Sequence, residues 1–362
     1  MKIGRTLTDL AKEIERQRDL KHDYLADTRN IVMEQDGRHL TVRGLPVDLQ
    51  TTGVIHGQLS EYTKVPKAYY DRMAAEAPDL LASNINTWLH KKADTRMIRT
   101  FNDGTAGTAR AFLSNAFRAL DNDQLMEAAL PPLLRLGVEV LSCEVTETKL
   151  YLKVVDSRIK RDLPTGVSLG EGHHRFDTVS PALVLSNSEV GYGALAVHTS
   201  IYTGGCTNLL VISERSKRTM HLGGREQVGE DTYRLLTDNT RRLTDAALWA
   251  QIGDVVQGAF QEAQFEATVD KIAATAKNQI TGDPVQVVEV TAKKFDMTDT
   301  ERGSILHHLV RGGDLTQYGL MNAITRTAED LDNYDRASQF EQFGGRLIEL
   351  PKTEWEVLAK AA

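Results

Sequence analysis

Cysteine is scarce in this 362-residue chain: Cys143 and Cys206 are the only two, too few for a disulfide framework. No stretch approaches the roughly 20 consecutive apolar residues of a membrane span. The opening MKIGRTLTDLAKEIERQRDL has no apolar core of the kind a secretion signal carries. A soluble protein in a reducing cytoplasm, away from membranes, is therefore expected. The chain also lacks CxxC and HExxH spacings, internal repeats and long low-complexity linkers. Gly191-Tyr192-Gly193 has neither the glycine spacing nor the Lys-Ser/Thr tail of a phosphate-cradling loop.

What is present is ordinary globular material, 41% hydrophobic and 26% charged, enough to bury one large core or two smaller ones. The net charge of −7 is unevenly spread. The stretch 88–225 carries a small basic excess and 226–362 is acidic, so the middle is where a polyanion would be met, unless the acidic end merely aids solubility.

Periodicity divides the chain into an N-terminal arm, hairpin and helices (1–92), a central antiparallel sheet region (93–225) and a helical C-terminal region (226–362). Ile3, Leu7, Leu10 and Ile14 recur at helical spacing in a densely charged opening segment, which suggests a mobile or peripheral arm. Strands are expected at 30–33 and 38–42 around the turn Gln35-Asp36-Gly37. Three helical pieces follow, near Leu59, from Pro66 and from Pro78. The string LSEYTKVPKAYYDRM has helix-turn-helix spacing, a weak signal that recurs in many helical packings.

Further strands are expected at 97–101, 109–114, 138–145, 150–155, 182–185, 194–202 and 209–213, with a helix over 123–136 and a polar loop over 157–174. Helical periodicity returns over 230–276, with Leu235, Leu243, Ala247, Ile252, Val255, Val256 and Phe260 as core contacts, and again over 299–310 and 317–333. The expected fold is α+β: a central, largely antiparallel sheet crossed by helices, with an N-terminal helical segment and an α-rich C-terminal half.

SNSEVGYGALAV, Cys206-Thr207-Asn208 and HLGG at 221–224 are preceded by RAFLSNAFRALDN at 110–122 and followed by LTQYGLMNAIT at 315–325 and FGGRL at 343–347. In this ordering the chain resembles the phage- and plasmid-borne family called domain of unknown function 932. Members of that family tend to carry glycine after the Cys-x-Asn unit, where this chain has Leu209. The resemblance implies mobile-element DNA metabolism and brings no reaction with it.

The residues themselves point to a binding face. Successive side chains of a strand point to opposite sides, so Leu150, Leu152 and Val154 oppose Lys149, Tyr151 and Lys153. Arg99 shares a face with Phe101, as Arg110 does with Phe112, and His198 and Tyr202 lie opposite Leu195, Val197 and Ile201. If Leu150, Leu152 and Val154 are buried and these polar faces merge outward, the sheet interleaves cations with rings. Single-stranded nucleic acid needs that composition, cations for its phosphates and rings for its bases. The alternative is routine decoration of a solvated sheet face, with Phe101 and Phe112 in the core and their arginines snorkelling.

Two rival readings belong to other classes. Cys206, His198, His221 and Glu189, with His173 and His174 nearby, would make a metal-dependent hydrolase or nuclease if they converged. Without tight ligand spacing, a reduced, buried, metal-free Cys206 is expected instead. Ser186 and Ser188 have no assignable base, and a Ser-Asn-Ser run is ordinarily a loop or cap. The third reading is a non-catalytic structural or host-interaction protein that uses its acidic C-terminal helices. No catalytic residue, metal or cofactor is assigned. The expected partner is single-stranded nucleic acid, with strand annealing as an extension, and the reading allows a homo-oligomer that no residue specifies.

Overall fold

The computed structural model describes residues 1–170, 173–204, 208–219 and 238–361. Thr6 caps α1 (Leu7–Leu20), its hydroxyl accepting from the Asp9 amide at 3.2 Å. Leu10 and Ile14 enter the core beside Cys143 and Leu125. The chain continues directly into β1 (Lys21–Asp27), which pairs antiparallel with β5 (Thr95–Asn102), Lys21 facing Phe101. The opening segment is thus docked rather than a mobile arm. Its dense charge covers the outside of a helix whose apolar stripe is buried.

The first sheet runs β1-β5-β6-β4-β3-β2, with β2 (Ile31–Met33), β3 (His39–Val42), β4 (Leu49–Thr51) and β6 (Gly107–Ser114). All its pairs are antiparallel except β4 with β6. The β2–β3 turn closes at Gly37, whose φ of 65° favours glycine. Helices α2 (Gly53–Thr63), α3 (Lys67–Glu76) and α4 (Pro78–Lys91) bury Ile55, Leu59, Tyr70, Leu81, Ile85 and Leu89 against it.

The second sheet runs β12-β11-β10-β8-β7, with β9 paired to β10. Its strands are β7 (Glu139–Val145), β8 (Leu150–Val155), β9 (Arg161–Gly170), β10 (His173–Asn187), β11 (Leu195–Thr203) and β12 (Asn208–Thr219). The expected loop over 157–174 is instead the β9–β10 hairpin. Its polarity is that of an edge strand with one wet face, Leu163 and Thr165 turning inward and Pro164 sitting where no further strand pairs among the described residues.

On one face, Leu150, Leu152, Val154, Leu183 and Leu185 pack against α5 (Asn122–Leu136) and α6 (Asp238–Gly258). Against other parts of the sheet lie α7 (Glu262–Thr275), α10 (Gln317–Thr327) and α11 (Tyr334–Ile348), and α8 (Pro284–Lys294), α9 (Asp299–Gly312) and α12 (Lys352–Leu358) join the same core by packing on helices. The architecture is α+β with an α-rich C-terminal half. Of the helix expected over 230–276, residues 230–237 and Leu235 lie outside the described residues, and the rest is two helices. Ile252, Val256 and Phe260 are buried and Val255 partly so, whereas Leu243 and Ala247 are exposed. The stripe is set by Leu248, Ile252 and Val256, and a residue five positions before Leu248 or Ile252 turns about 140° away. The helix expected over 317–333 ends at Thr327, because Asn333 caps α11 through the Arg336 amide. No helix among the described residues is long and apolar enough to cross a membrane.

The segment 186–193, SNSEVGYG, joins the two sheets. The buried Asn187 amide donates to the Leu120 carbonyl and Asn122 Oδ1. Ser188 Oγ donates to the Thr148 carbonyl and accepts from the Tyr192 amide, and Gln58 on α2 donates to the Val190 carbonyl at 2.7 Å. Gly191 takes the left-handed φ of 82° needed to turn beside Leu113.

Candidate nucleic-acid interface

The alternation along β8 places Leu150, Leu152 and Val154 in the core as expected, but the opposite face is covered as well. Tyr151 is 3% exposed and Lys153 0%. Helix α11 lies over them: Lys153 Nζ is 2.8 Å from Glu341 and 4.7 Å from the centre of the Tyr334 ring, and Tyr151 packs on Tyr334 at 5.3 Å. Burial lowers the Lys153 pKa against the pull of Glu341. The outward orientation expected for Tyr151 and Lys153 is therefore corrected. Strict alternation separates two faces but cannot show whether a later helix caps the polar one. Lys149 is half-buried, its side chain lying along Gly193.

Arg99 and Arg110 do converge, but inside the junction between the sheets. The β5–β6 register shifts so that Thr100 faces Ala109 and Arg99 faces Ala111, which makes Arg110 the extra residue of a bulge. Its guanidinium sits 3.8 Å over the Phe101 ring and 3.0 Å from Glu189 Oε2. Arg99, 0% exposed, reaches Asp23 at 2.9 Å, Asp121 at 2.7 Å and the Glu189 carbonyl at 3.0 Å. Lys21 closes the network at 2.8 Å from Asp121. Burial pushes the Asp121 carboxyl up, yet Arg99 and Lys21 outweigh it and hold the group below its ordinary value. The network ties Lys21, Arg99 and Arg110 on three strands to Asp121 and Glu189 and leaves these cations paired. Phosphates would have to displace its carboxylates.

Of the remaining expected residues, Phe112 is buried, while His198 on β11 faces Val184 and Ser216 across the strands. Tyr202 packs partly buried beside Leu209 and Val211. The basic-aromatic set is scattered over separate environments and does not form one open sheet face.

Cations and rings instead meet on the helices of the first sheet. An open groove of about 770 Å³ is lined by Tyr62, Lys64, Tyr69, Asn84, Trp88, Lys91, Lys92 and Arg96, with Asp94 as its carboxylate. That volume lies within the range of roughly 300–1,000 Å³ usual for ligand sites. Asn84, Trp88 and Lys91 fall on one face of α4 at helical spacing. Trp88 is 42% and Tyr69 47% exposed, an uncommon display for large rings. The Trp88 indole donates to Asn84 Oδ1 at 3.1 Å, and Lys91 Nζ stands 4.6 Å from its ring centre. Arg96 stacks 4.5 Å from the Tyr62 ring centre, Tyr62 meets Phe112 edge-on at 5.2 Å, and Asp94 accepts from Arg96 at 2.7 and 2.9 Å. The rim is pinned from below, where Thr28 donates its hydroxyl to the Lys92 carbonyl and its amide to the Asp94 carbonyl, both at 2.9 Å.

Lys64 stands at the end of α2 with φ 61° and ψ 22°. The Val65 amide bonds to the Ser60 carbonyl and the Lys64 amide to the Glu61 carbonyl, a Schellman ending whose left-handed position normally carries glycine. Here a lysine takes it and Pro66 follows. Cations at helix C-termini also complement the helix dipole. That accounts for Lys64 and Lys91 in part, but not for the exposed Trp88 and Tyr69 beside them.

No family model, curated protein or solved structure matches this chain. The likeness to domain of unknown function 932 thus stands on the quoted strings alone, and the geometry must carry any functional reading. For the metal-site alternative, Glu189 is engaged by Arg110 and by the Asn122 amide at 2.8 Å. Cys206 and His221 lie outside the described residues. Among the described residues no group of three or more His, Cys, Asp and Glu side chains could hold a metal ion. Sequence reasoning missed Trp88, Tyr69 and Lys64, although LSEYTKVPKAYYDRM, singled out for its helix-turn-helix spacing, supplies Tyr62, Lys64 and Tyr69 to the groove.

Proposed function

We propose that this chain binds single-stranded nucleic acid in the α2–α4 groove, with Trp88 and Tyr69 stacking on bases and Lys64, Lys91 and Lys92 meeting phosphates. The observation that carries the reading is the pairing of two exposed large rings with these three lysines in one groove whose carboxylate, Asp94, is bonded to Arg96. Rings stack on any base at roughly 1–3 kcal/mol each, and lysines supply the salt-dependent attraction. The mobile-element setting comes from the family resemblance, and strand annealing would follow only if two strands were held at once.

Anisotropy titration of labelled single-stranded and duplex oligonucleotides at several salt concentrations tests this. Binding should favour the single strand and weaken steeply with salt. Trp88→Ala should cost roughly 1–3 kcal/mol with the salt slope retained. Lys91→Ala with Lys92→Ala should lower the magnitude of the slope by about 1.4. Absence of binding at low salt, or full binding by a variant combining Trp88→Ala, Lys91→Ala and Lys92→Ala, would refute the reading.

A further inference from the structure

Asn84 is the polar side chain hydrogen-bonded to the exposed ring of the groove, and its orientation is fixed by chemistry. An indole N–H can only donate, so the amide atom 3.1 Å from Trp88 Nε1 must be the oxygen. The amide nitrogen is thereby turned away from the indole with two hydrogens to give. Among the described residues it meets no acceptor, and Asn84 lines the groove. Asp94, the carboxylate of the groove, is bonded to Arg96 through Oδ2. A base stacked on Trp88 therefore meets a fixed hydrogen-bond donor at its edge.

Bases differ in what they offer such a donor. Thymine presents the O4 carbonyl, as uracil does, and guanine presents O6, whereas the exocyclic group of adenine at the corresponding place is itself a donor, its N7 acceptor lying one position away. Resting on the groove as the binding site, we infer that it selects single strands carrying oxo bases at the Trp88 position, thymine and uracil above adenine, and that Asn84 is the residue that selects. The indole–amide bond joins the two functions, because the contact that holds the stacking ring also aims the reading group.

The test compares oligo-dT, oligo-dU and oligo-dA of one length against the wild-type chain and against Asn84→Asp. Aspartate still accepts from the Trp88 indole but removes the donor, and its added charge weakens all three oligonucleotides alike, so the affinity ratio isolates the reading. Wild type should bind dT and dU similarly and dA roughly three- to tenfold more weakly, the size of one net hydrogen bond. Asn84→Asp should bring that ratio to one or invert it. The wild-type series tests the inference even if the variant fails to fold. Equal wild-type affinity for dT and dA, or an unchanged ratio in folded Asn84→Asp, overturns the selection while leaving the groove as the site. Failure of all three oligonucleotides to bind overturns both.

Discussion

Replacing Lys64 by glycine should raise stability and weaken binding at the same time. A non-glycine residue in the left-handed region costs roughly 1–2 kcal/mol, and Lys64 occupies it at φ 61°. Glycine removes that cost but loses about 0.5–1 kcal/mol more backbone entropy on folding. The net gain is then about 0.5–1 kcal/mol, and the two bonds of the Schellman ending, made by the Lys64 and Val65 backbone amides, are kept. Losing one phosphate contact should lower the magnitude of the salt slope by about 0.7, which amounts to about a fivefold loss of affinity at 0.1 M salt relative to 1 M. Lys64→Gln separates the effects, since it drops the charge and keeps the Cβ: affinity should fall as in the glycine variant without the gain in stability. Urea melts and anisotropy titrations on the three proteins decide the matter. A destabilised Lys64→Gly would refute the strain argument, and wild-type affinity in both variants would show that Lys64 meets no phosphate.

Three further outcomes follow from the packing. Lys153→Met alone should cost about 3–5 kcal/mol by leaving Glu341 buried without its cation, while adding Glu341→Leu should restore most of it, and a double variant no better than the single one would contradict the pairing. Gly345→Ala should lose roughly 1–3 kcal/mol or more, because a Cβ there overlaps the Val211 carbonyl oxygen where α11 lies on β12; an unchanged melting temperature would count against that close approach. His56, held between the Tyr70 hydroxyl at 2.7 Å and Thr51 Oγ1 at 2.9 Å, has its pKa lowered by burial and then by Lys67, with Asp71 and Glu147 pulling the other way. The unfolded chain therefore binds the proton first. Stability should be full above about pH 6.5 and fall as the pH drops through that value, and His56→Gln should flatten the difference between urea midpoints at pH 7.5 and 5.5 relative to wild type.

The burial of Arg99, Arg110 and Lys153 explains why the expected interface was misplaced. A lysine or arginine on an alternating strand has the same local pattern whether it faces water or a carboxylate brought from elsewhere. Glu341 lies 188 residues from Lys153 and Glu189 lies 79 from Arg110, separations at which no local periodicity operates. The place of the SNSEVGYG string is structural, in the hydrogen bonds that join one sheet to the other.

Local signals that depend on a few neighbouring residues were legible in the sequence. Pro78 opens α4, Gly37 turns the first hairpin, alternation buries Leu150, Leu152 and Val154, and the helical stripe of α1 buries Leu10 and Ile14. The α+β class followed from these. Tertiary structure alone decided that the opening helix docks, that residues 95–114 join the N-terminal strands in a sheet of their own, and that α11 covers the basic side of β8. It also decided that Trp88 and Tyr69, with lysines from two places in the chain, share one groove. Burial and convergence are properties of pairs distant in sequence, settled by which apolar faces pack together, whereas turns, caps and periodicity are settled within one or two turns of backbone.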